Sequence, residues 1–303
     1  MISVVIPLYN KEEFIAKTIE SVLAQTFQDF EIVVVNDGST DGSVNVVESI
    51  RDNRIRILHQ ENGGVSVARN NGIEQSKYEW VALLDGDDIW KPEYLQTQWN
   101  LHLKYPSCDV CACNYEFCDH NGNVTPTKIN KLPFSGEDGI LSNYFEVASC
   151  SHPPICSISI MAKRSAFLAV GGFPVGVTNG EDLLTWARLA VQYKIAYNRI
   201  RQVRYMMKVK SVPVNIPKGN IVGEQLEKLL KHNPCEVKIK QYIGLWYKIR
   251  ANIYLCGGYK LTAIKHIFKS LRFRPADFKL YVYLILCFFP GKIIRGLLKI
   301  KSL

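Results

Sequence analysis

Short apolar runs that alternate with amphipathic segments dominate the first 90 residues of this chain and constrain its fold more than any other feature. Each run is rich in Val, Ile and Leu and has the length of a single buried strand. Turn-forming residues follow the runs, as in the sequence Asn36-Asp37-Gly38-Ser39. We therefore predict four strands, at Ser3–Pro7, Phe30–Val35, Ile55–Leu58 and Trp80–Leu84.

The segments between these runs have apolar residues at helical spacing, which predicts helices over Lys11–Gln25, Val44–Ile50 and Val65–Gln75. Strands and helices that alternate in this way are typical of an α/β fold with a mainly parallel central sheet. Ligands of such folds bind beyond the carboxyl ends of the strands. The sequence thus predicts both the fold class and the edge of the sheet at which to look for a site.

The pattern loosens after Pro106. Further strands are predicted at Val110–Phe117 and Ser157–Met161, and residues 119–150 are expected to be irregular. Apolar residues from Gly180 to Tyr193 return to helical spacing. Beyond about Val209 the pattern is that of basic helices, so we expect a C-terminal α-helical region.

Charge divides the chain of 303 residues into two parts. Residues 1–207 hold 18 Lys and Arg against 24 Asp and Glu, whereas residues 208–303 hold 19 against 4. The acidic part can host a metal site, and the basic part suits an anionic surface, most simply a membrane leaflet. We predict a catalytic domain over residues 1–210 and a basic helical region over residues 211–303.

The composition indicates the class of protein, and the N-terminal sequence indicates where in the cell it is expected. The chain is 47% apolar and 21% charged, which excludes a disordered protein and a polytopic membrane protein. The segment Met1–Pro7 lacks the basic flank and long apolar stretch of a secretory signal. We expect a cytoplasmic protein, with peripheral contact with the inner face of the cell membrane left open.

The sequence Asp85-Gly86-Asp87-Asp88, directly after a predicted strand, is the sharpest chemical feature. Carboxylates two residues apart can share the binding of a sugar nucleotide, one facing the ribose and the other holding a divalent cation that stabilises the diphosphate. Gly86 allows the backbone to turn closely. The alternative is a turn whose aspartates cap a helix starting near Pro92.

Carboxylates also stand at two other predicted element ends. Asp37 follows a strand and can accept hydrogen bonds from a nucleobase edge, or it can close an Asx turn. Glu181 and Asp182 begin an apolar helix. Asp182 is our candidate for the base that removes the proton of an attacking hydroxyl. Alternatively, both acids only complement the positive end of the helix dipole.

Five stretches together resemble family 2 glycosyltransferases, which have the GT-A fold and invert the anomeric centre. The resemblance covers residues 2 to about 190, and the order and spacing of the stretches match the family. They are Val4–Asn10, Val33–Asp41, Asn62–Asn70, Leu84–Asp88, and Gly171-Gly172-Phe173 followed by Gly180-Glu181-Asp182.

The resemblance implies roles for individual residues. Pro7, Tyr9 and Asp37 would surround the base of the donor, with Asn10 beside them in the same donor-binding stretch. Arg69 would position the nucleotide and Asp85 would contact the ribose. Asp87 would ligate Mg or Mn. Asp182, with Glu181 beside it, would be the catalytic carboxylate that deprotonates the acceptor.

The chain departs from the family pattern at two places. Pro174-Val175-Gly176-Val177 replaces the acidic residues that many relatives have before the Glu-Asp pair, so the loop on the acceptor side is expected to differ. Near Tyr205–Lys208 the chain lacks an Arg and a His that relatives often use near the diphosphate or metal. Arg201, Arg204 or Lys208 are candidates to replace them electrostatically.

The tail predicts a helical hairpin from Tyr247–Cys256, a Gly257-Gly258 turn and Leu261–Leu271. The uncharged run Leu280–Phe289 precedes Lys292, Arg295, Lys299 and Lys301 and is too short to span a bilayer. It fits an interfacial helix on an anionic leaflet, or an ordinary amphipathic helix packed on a core.

The expected function is transfer of a hexosyl or N-acetylhexosaminyl group from a nucleotide-diphosphate sugar, most simply a UDP-sugar. The acceptor would be a saccharide or a lipid-linked sugar in surface polysaccharide or glycan synthesis. The partners expected are therefore a nucleotide sugar, that acceptor and an anionic membrane, but no nucleic acid. The alternative function is a non-catalytic module of the same fold that binds a sugar nucleotide or a membrane surface.

Overall fold

The computed structural model describes residues 1–207, 220–232 and 237–290, together with Ile294 and Leu297. Lys208 and the basic residues predicted after Pro290 lie outside this range. The chain forms two compact units, Met1–Val209 and Lys210–Leu303. Each unit has a hydrophobic core of its own.

A ten-stranded sheet forms the centre of the first unit. Its strands are β1 (Ile2–Leu8), β2 (Phe30–Asp37), β3 (Ile55–Gln60), β4 (Trp80–Leu83), β5 (Ile89–Trp90), β6 (Val110–Cys118), β7 (Val124–Pro126), β8 (Asp138–Ile140), β9 (Ile160–Lys163) and β10 (Ile195–Met206). The order across the sheet is β3-β2-β1-β4-β9-β6-β10-β5, with β7 beside β6 and β8 beside β10.

Seven helices accompany this sheet among the described residues of the unit. They are α1 (Ile15–Leu23), α2 (Ser43–Ser49), α3 (Val65–Glu74), α4 (Tyr94–Lys104), α5 (Tyr144–Cys150), α6 (Arg164–Ala169) and α7 (Glu181–Gln192). The strands β1, β2 and β4 are buried along their whole length, as expected for strands covered on both faces.

The predicted parallel sheet is confirmed, with a mixed part beyond it. Strands β3, β2, β1 and β4 are all parallel, and so is the long pair β6–β10. The antiparallel pairs, which include β4–β9 and β6–β9, are short. In the register, Leu8 lies opposite Asn36 and Leu83 opposite Val5. The loops that follow β1, β2 and β4 therefore leave the sheet at one edge.

The later part of the unit differs from the sequence expectation. Strand β10 has 12 residues and was not predicted, because Arg199, Arg201 and Arg204 interrupt its apolar residues. Pairing offsets these charges: Arg204 Nε donates to Glu116 Oε1 at 3.0 Å. Residues 119–150 contain β7, β8 and α5 instead of being irregular throughout. Strand β9 begins at Ile160, three residues later than predicted.

The second unit is helical, as predicted. It contains α8 (Ile221–His232), α9 (Val237–Cys256), α10 (Lys260–Phe273) and α11 (Phe278–Leu286). Helices α9 and α10 form the predicted hairpin, and Gly258 at φ +84° lies in its turn. The core of the unit includes Leu255, Ile267 and Leu280. Within the described residues, every helix falls short of the length and apolar character that crossing a bilayer requires.

Gly72 is expected to be essential for packing α3 on the sheet. A Cβ atom at this position would overlap Val5 Cγ1 and lie 3.1 Å from Val35 Cγ2. Overpacking usually costs about 1–3 kcal/mol, and the better helix propensity of Ala returns up to about 1 kcal/mol of this cost. Gly72→Ala should therefore lower the free energy of unfolding by the difference. Urea denaturation followed by circular dichroism measures the change.

Gly136→Ala is the matched control, because the nearest atom to its added Cβ is Asp138 O at 3.7 Å. This variant should unfold at the wild-type urea concentration. Equal midpoints for Gly72→Ala and Gly136→Ala would contradict the close contact between α3 and β1.

Candidate active site

The loops that leave the sheet at the common edge line a pocket of about 490 Å³. Segments far apart in the sequence meet there: the loops after β1, β2 and β4, helix α3, the start of α7 and the end of β10. The candidate residues Pro7, Tyr9, Asp37, Arg69, Asp85, Asp87 and Glu181 all line this pocket, together with Lys11, Asp88 and Tyr205.

A second pocket of about 370 Å³ contains Asp182. It shares Arg69, Asp85, Glu181 and Tyr205 with the first pocket, so the two cavities meet at these side chains. The structure therefore brings the predicted donor-binding and catalytic carboxylates to one rim. Asn10 is the exception, because it is not among the residues that line either cavity.

Asp37 is 2% exposed and supports the loop that precedes α3. Its Oδ1 accepts hydrogen bonds from Gln60 Nε2 at 2.7 Å and Gly63 N at 2.8 Å. Its Oδ2 accepts one from Gly64 N at 2.9 Å. The turn after β2 is closed by Asn36 instead, whose Oδ1 accepts from Ser39 N at 3.0 Å. The Asx-turn alternative therefore belongs to Asn36, and Asp37 lines the pocket with its Oδ2 accepting a single hydrogen bond.

The loop after β1 presents Tyr9 and anchors Asn10. Tyr9 is 48% exposed at the pocket, where its ring is accessible for stacking. Asn10 has a left-handed backbone at φ 50°, which is uncommon for a residue other than glycine. Its Oδ1 accepts a hydrogen bond from Thr40 N at 2.9 Å. The side chain of Asn10 thus ties the loop after β1 to the loop after β2.

Arg69 is the central cation of the site and is 3% exposed. Its Nη2 donates to both carboxylate oxygens of Asp85, at 2.7 and 2.9 Å, and its Nη1 lies 3.5 Å from Glu181 Oε1. Ser157 Oγ donates to Asp85 Oδ2 at 2.8 Å. Burial acts to raise the pKa of Asp85, but the charge and hydrogen bonds of Arg69 outweigh it and hold that pKa below its usual value.

Asp87 and Asp88 have different surroundings although they are adjacent. Asp87 forms an ion pair with Lys11. Asp88 is 2% exposed, and its Oδ1 accepts a hydrogen bond from Met206 N at 2.6 Å, which ties the loop to the end of β10. Burial and then the charges of Asp85 and Asp87 raise the pKa of Asp88 well above its usual value. Asp88 therefore has a structural contact, and Asp87 faces the pocket with Lys11.

Asp87 is the candidate ligand of a divalent cation; its carboxylate pairs with Lys11 here, and the described residues contain no cluster of three or more His, Cys, Asp or Glu placed to hold a metal. Mg²⁺ is typically bound by one or two carboxylates together with substrate phosphates and water, so a complete protein cage is not required. Carboxylate oxygens from Asp87, and from Asp85 beside it, are the hard ligands that Mg²⁺ and Mn²⁺ prefer.

Asp182 lies at the start of α7, after Gly180 in the left-handed conformation at φ 85°. Burial and then the charge of Glu181 raise the pKa of Asp182 to about 6, against the attraction of Arg69. Leu183 N donates to Asp182 Oδ1 at 2.7 Å. A carboxylate that titrates near pH 6 can hold a proton taken from a hydroxyl more readily than an ordinary aspartate can.

An aromatic wall, formed by Tyr115, Phe117 and Tyr205, lines the cavity that contains Asp182. The rings of Tyr115 and Phe117 pack edge to face with centroids 5.5 Å apart, and those of Phe117 and Tyr205 do so at 5.9 Å. Neither this wall nor Ser157 or Lys11 was predicted from the sequence. The alternation of Tyr115 and Phe117 around Glu116 on one strand was the available signal for the wall.

Arg201 and Arg204, predicted to replace the missing Arg and His electrostatically, contact residues outside the two cavities. Arg201 Nη2 donates to Thr127 O at 3.3 Å, and Arg204 pairs with Glu116. Neither side chain is among those that line the two cavities. Lys208, the third candidate, lies outside the described residues. Among the described cations, Lys11 and Arg69 line the pocket that contains Asp87.

The sequence from residue 3 to residue 160, just over half of the chain, matches the family model "Glycosyl transferase family 2". The chain belongs to this family. The matched segment contains its first four parallel strands apart from Ile2, the rim loops with Asp37, Asp85 and Asp87, and Arg69.

Curated relatives are similar over part of their length. Glycosyltransferase GlyG of Streptococcus pneumoniae is 39% identical over 127 residues, which are 41% of this chain and 42% of GlyG. EpsJ of Bacillus subtilis, an uncharacterized glycosyltransferase, is 47% identical over 117 residues, 38% of this chain and 34% of EpsJ. The chain thus matches about a third to two fifths of the length of these relatives.

Solved structures support the GT-A fold class, with a helical region after it. The crystal structure of S. aureus TarS residues 1–349 with UDP-GlcNAc superposes with a TM-score of 0.66 and covers 98% of this chain and 91% of that one. The complex of the same TarS segment with UDP gives the same score. At 18% identity the likeness concerns the fold.

Removal of the Arg69 charge should destabilise the first unit. Arg69→Met leaves Asp85 and Glu181 without their buried cation, and we expect a loss of about 3 kcal/mol, the lower end for a broken buried pair, because Asp85 keeps some contact with solvent. Urea denaturation measures it. Arg69→Met combined with Asp85→Asn should recover part of the loss, since the carboxylate charge is gone. A double variant no more stable than Arg69→Met would contradict this pairing.

Proposed function

We propose that the protein is an inverting glycosyltransferase. It moves a hexosyl or N-acetylhexosaminyl group from a nucleotide-diphosphate donor, most simply a UDP-sugar, to a hydroxyl of a saccharide or lipid-linked acceptor in surface polysaccharide or glycan synthesis. The observation that carries the proposal is the meeting of two cavities at Arg69, Asp85 and Glu181, with the strand-end loops around one and Asp182 in the other.

The first cavity suits the nucleotide. Tyr9 offers an exposed ring for the base, with Pro7 beside it, and the Asp37 carboxylate can accept hydrogen bonds from the edge of the base. Asn10 contributes by holding the loop of Tyr9 against Thr40. Asp85 keeps acceptor capacity for a ribose hydroxyl beyond its bonds to Arg69 and Ser157. The choice of UDP is supported by the TarS complexes, which have the same fold.

The leaving diphosphate requires positive charge, and this chain supplies two cations of its own at the pocket. Lys11 and Arg69 both line it, Lys11 paired with Asp87 and Arg69 with Asp85. Mg or Mn, held by Asp87, would neutralise further charge on the diphosphate. Arg69 is fixed by Asp85 and Glu181, so its charge is oriented before any substrate binds.

Asp182 is the proposed base. The acceptor hydroxyl would lie in the second cavity, where Asp182 takes its proton as the oxygen attacks the anomeric carbon. In the proposed displacement, the acceptor oxygen attacks from the Asp182 side while the bond to the diphosphate breaks on the opposite side of the sugar. A single displacement of this kind inverts the anomeric configuration.

The aromatic wall supports a carbohydrate acceptor. Phe117 and Tyr205 present ring surfaces beside Asp182, and aromatic rings suit the apolar faces of sugar rings. Pro153 and Ile155 add apolar lining to the same cavity. A saccharide whose ring stacks on this wall would place one hydroxyl near the carboxylate.

Turnover of a panel of UDP-, GDP- and dTDP-sugars with Mn²⁺ tests the proposal directly. One donor class should be consumed by the wild-type protein, with Asp182→Asn slower by about 10²–10⁴-fold, the usual contribution of a general base. Donor binding by Asp182→Asn should persist. Binding of a donor without turnover in the wild type would instead support the non-catalytic module.

The acid limb of the pH–rate profile should report Asp182. The base acts in its ionised form, so kcat/KM should rise with pH through about 6 and fall about tenfold per pH unit below that value. Glu181→Gln removes the negative neighbour that raises the pKa of Asp182, so the midpoint should move to lower pH. Glu48→Gln, a change at an exposed residue of α2, is the control and should leave the midpoint in place. A midpoint unaffected by Glu181→Gln would count against Asp182 as the base.

Asp87→Ala should abolish transfer at all practical metal concentrations while the circular dichroism spectrum stays that of the wild type. The carboxylate proposed to hold the cation is lost, and Lys11 loses its partner. Titration of Mn²⁺ in the presence of UDP, followed by electron paramagnetic resonance, should show bound Mn²⁺ only with Asp87 in place. Full wild-type activity in excess chelator would refute the metal requirement.

A further inference from the structure

The second unit exposes apolar side chains in regular stripes. Along α10, Leu261 is 80% exposed and Phe268 is 60% exposed. The exposed bases Lys265 and Arg272 alternate with them. Spacings of four, three and four residues place these side chains on one face of the helix. The face is therefore apolar and basic together, whereas Ala263 and Ile267 on the same helix are buried in the core.

Helix α11 and the residues after it carry a second stripe. Phe278 is 76% exposed, Tyr281 45%, Ile285 60% and Phe288 86%. The opposite side of the helix is buried, since Leu280 and Leu286 belong to the core of the unit. The two stripes, called here the outer face, are Leu261, Lys265, Phe268 and Arg272 on α10 and Phe278, Tyr281, Ile285 and Phe288 on α11 with the turn after it.

The positive charge of the second unit favours a negatively charged partner. Its described acidic residues are Glu224, Glu227 and Asp277, of which Asp277 pairs with Lys248 and Arg274, and Glu227 lies 4.0 Å from Arg272. From residue 208 onward the chain has 19 Lys and Arg against 4 Asp and Glu. A surface that meets the outer face must therefore be apolar inside and negatively charged at its boundary.

We propose that the outer face docks on an anionic lipid leaflet, with its aromatic and aliphatic side chains in the acyl boundary and its bases among the headgroups. Helices with apolar residues on one face and Lys or Arg beside them bind in this way, lying in the interface rather than crossing the bilayer. A second copy of the chain would bring an equally basic unit against the first, and the repulsion opposes that pairing. Nucleic acid would leave Leu261 and Ile285 in contact with a charged backbone.

Binding to lipid can be measured without any sugar donor. The full-length protein is sedimented with vesicles of phosphatidylcholine and phosphatidylglycerol in equal parts, and with vesicles of phosphatidylcholine only. Wild-type protein should pellet with the anionic vesicles and remain in solution with the neutral ones. Binding should weaken as salt is added, because the headgroup attraction is screened.

A triple variant, Phe268→Ser with Ile285→Ser and Phe288→Ser, removes apolar surface that is already exposed, so the unit should still fold. We expect its partition onto the anionic vesicles to fall by at least about tenfold, since each large apolar side chain buried contributes substantially. The matched control, Leu103→Ser with Val124→Ser and Leu168→Ser, changes exposed residues of the first unit and should bind as the wild type does.

Three results would overturn the proposal. They are wild-type protein that stays in solution with anionic vesicles, a triple variant that pellets as well as the control variant, and a wild-type dimer in analytical ultracentrifugation that the triple variant loses. Donor turnover by the triple variant in solution should equal that of the wild type. Failure of the proposed transfer reaction would therefore be seen separately from failure of lipid binding.

Discussion

The buried guanidinium of Arg69 is the interaction on which the site depends. It joins α3 to the loop after β4 through Asp85 and to the start of α7 through Glu181, segments separated by 16 and 112 residues in the chain. A charge that is 3% exposed is tolerated only when it is paired and hydrogen-bonded. The pairing therefore fixes where α7 begins relative to the sheet, and with it the position of Asp182.

Arg69 also contributes to the different pKa values of two carboxylates, Asp85 and Asp182. Asp85 bonds Arg69 directly and also accepts from Ser157, so its pKa is held low and it stays ionised. Asp182 interacts with the charge of Arg69 but accepts no hydrogen bond from it. Burial and the charge of Glu181 outweigh the charge of Arg69, so the pKa of Asp182 rises to about 6. One residue thus remains a fixed anion, and the other can exchange a proton near neutral pH.

Sequence patterns predicted the parallel strands because their residues are buried on both faces and their periodicity is local. The end of β2 was harder to interpret: both Asn36 and Asp37 suit an Asx turn, and the folded protein uses Asn36 to close it. Strand β10 was missed because Arg201 and Arg204 look like solvated residues until Thr127 and Glu116 are placed beside them. Ser157 could not be found either, since its role depends on a contact 72 residues away.

The rim of the site has more carboxylates than cationic side chains, and this excess is relevant to the proposed divalent cation. Six carboxylates, from Asp37, Asp85, Asp87, Asp88, Glu181 and Asp182, line the two cavities, whereas Lys11 and Arg69 are the described cations lining them. Burial is the first cause of the raised pKa values of Asp88 and Asp182, and the charges of the neighbouring carboxylates raise these pKa values further. Crowding of this kind costs stability, and a divalent cation at Asp87 would relieve it while binding a diphosphate. The imbalance therefore favours a site that is completed by metal and donor together.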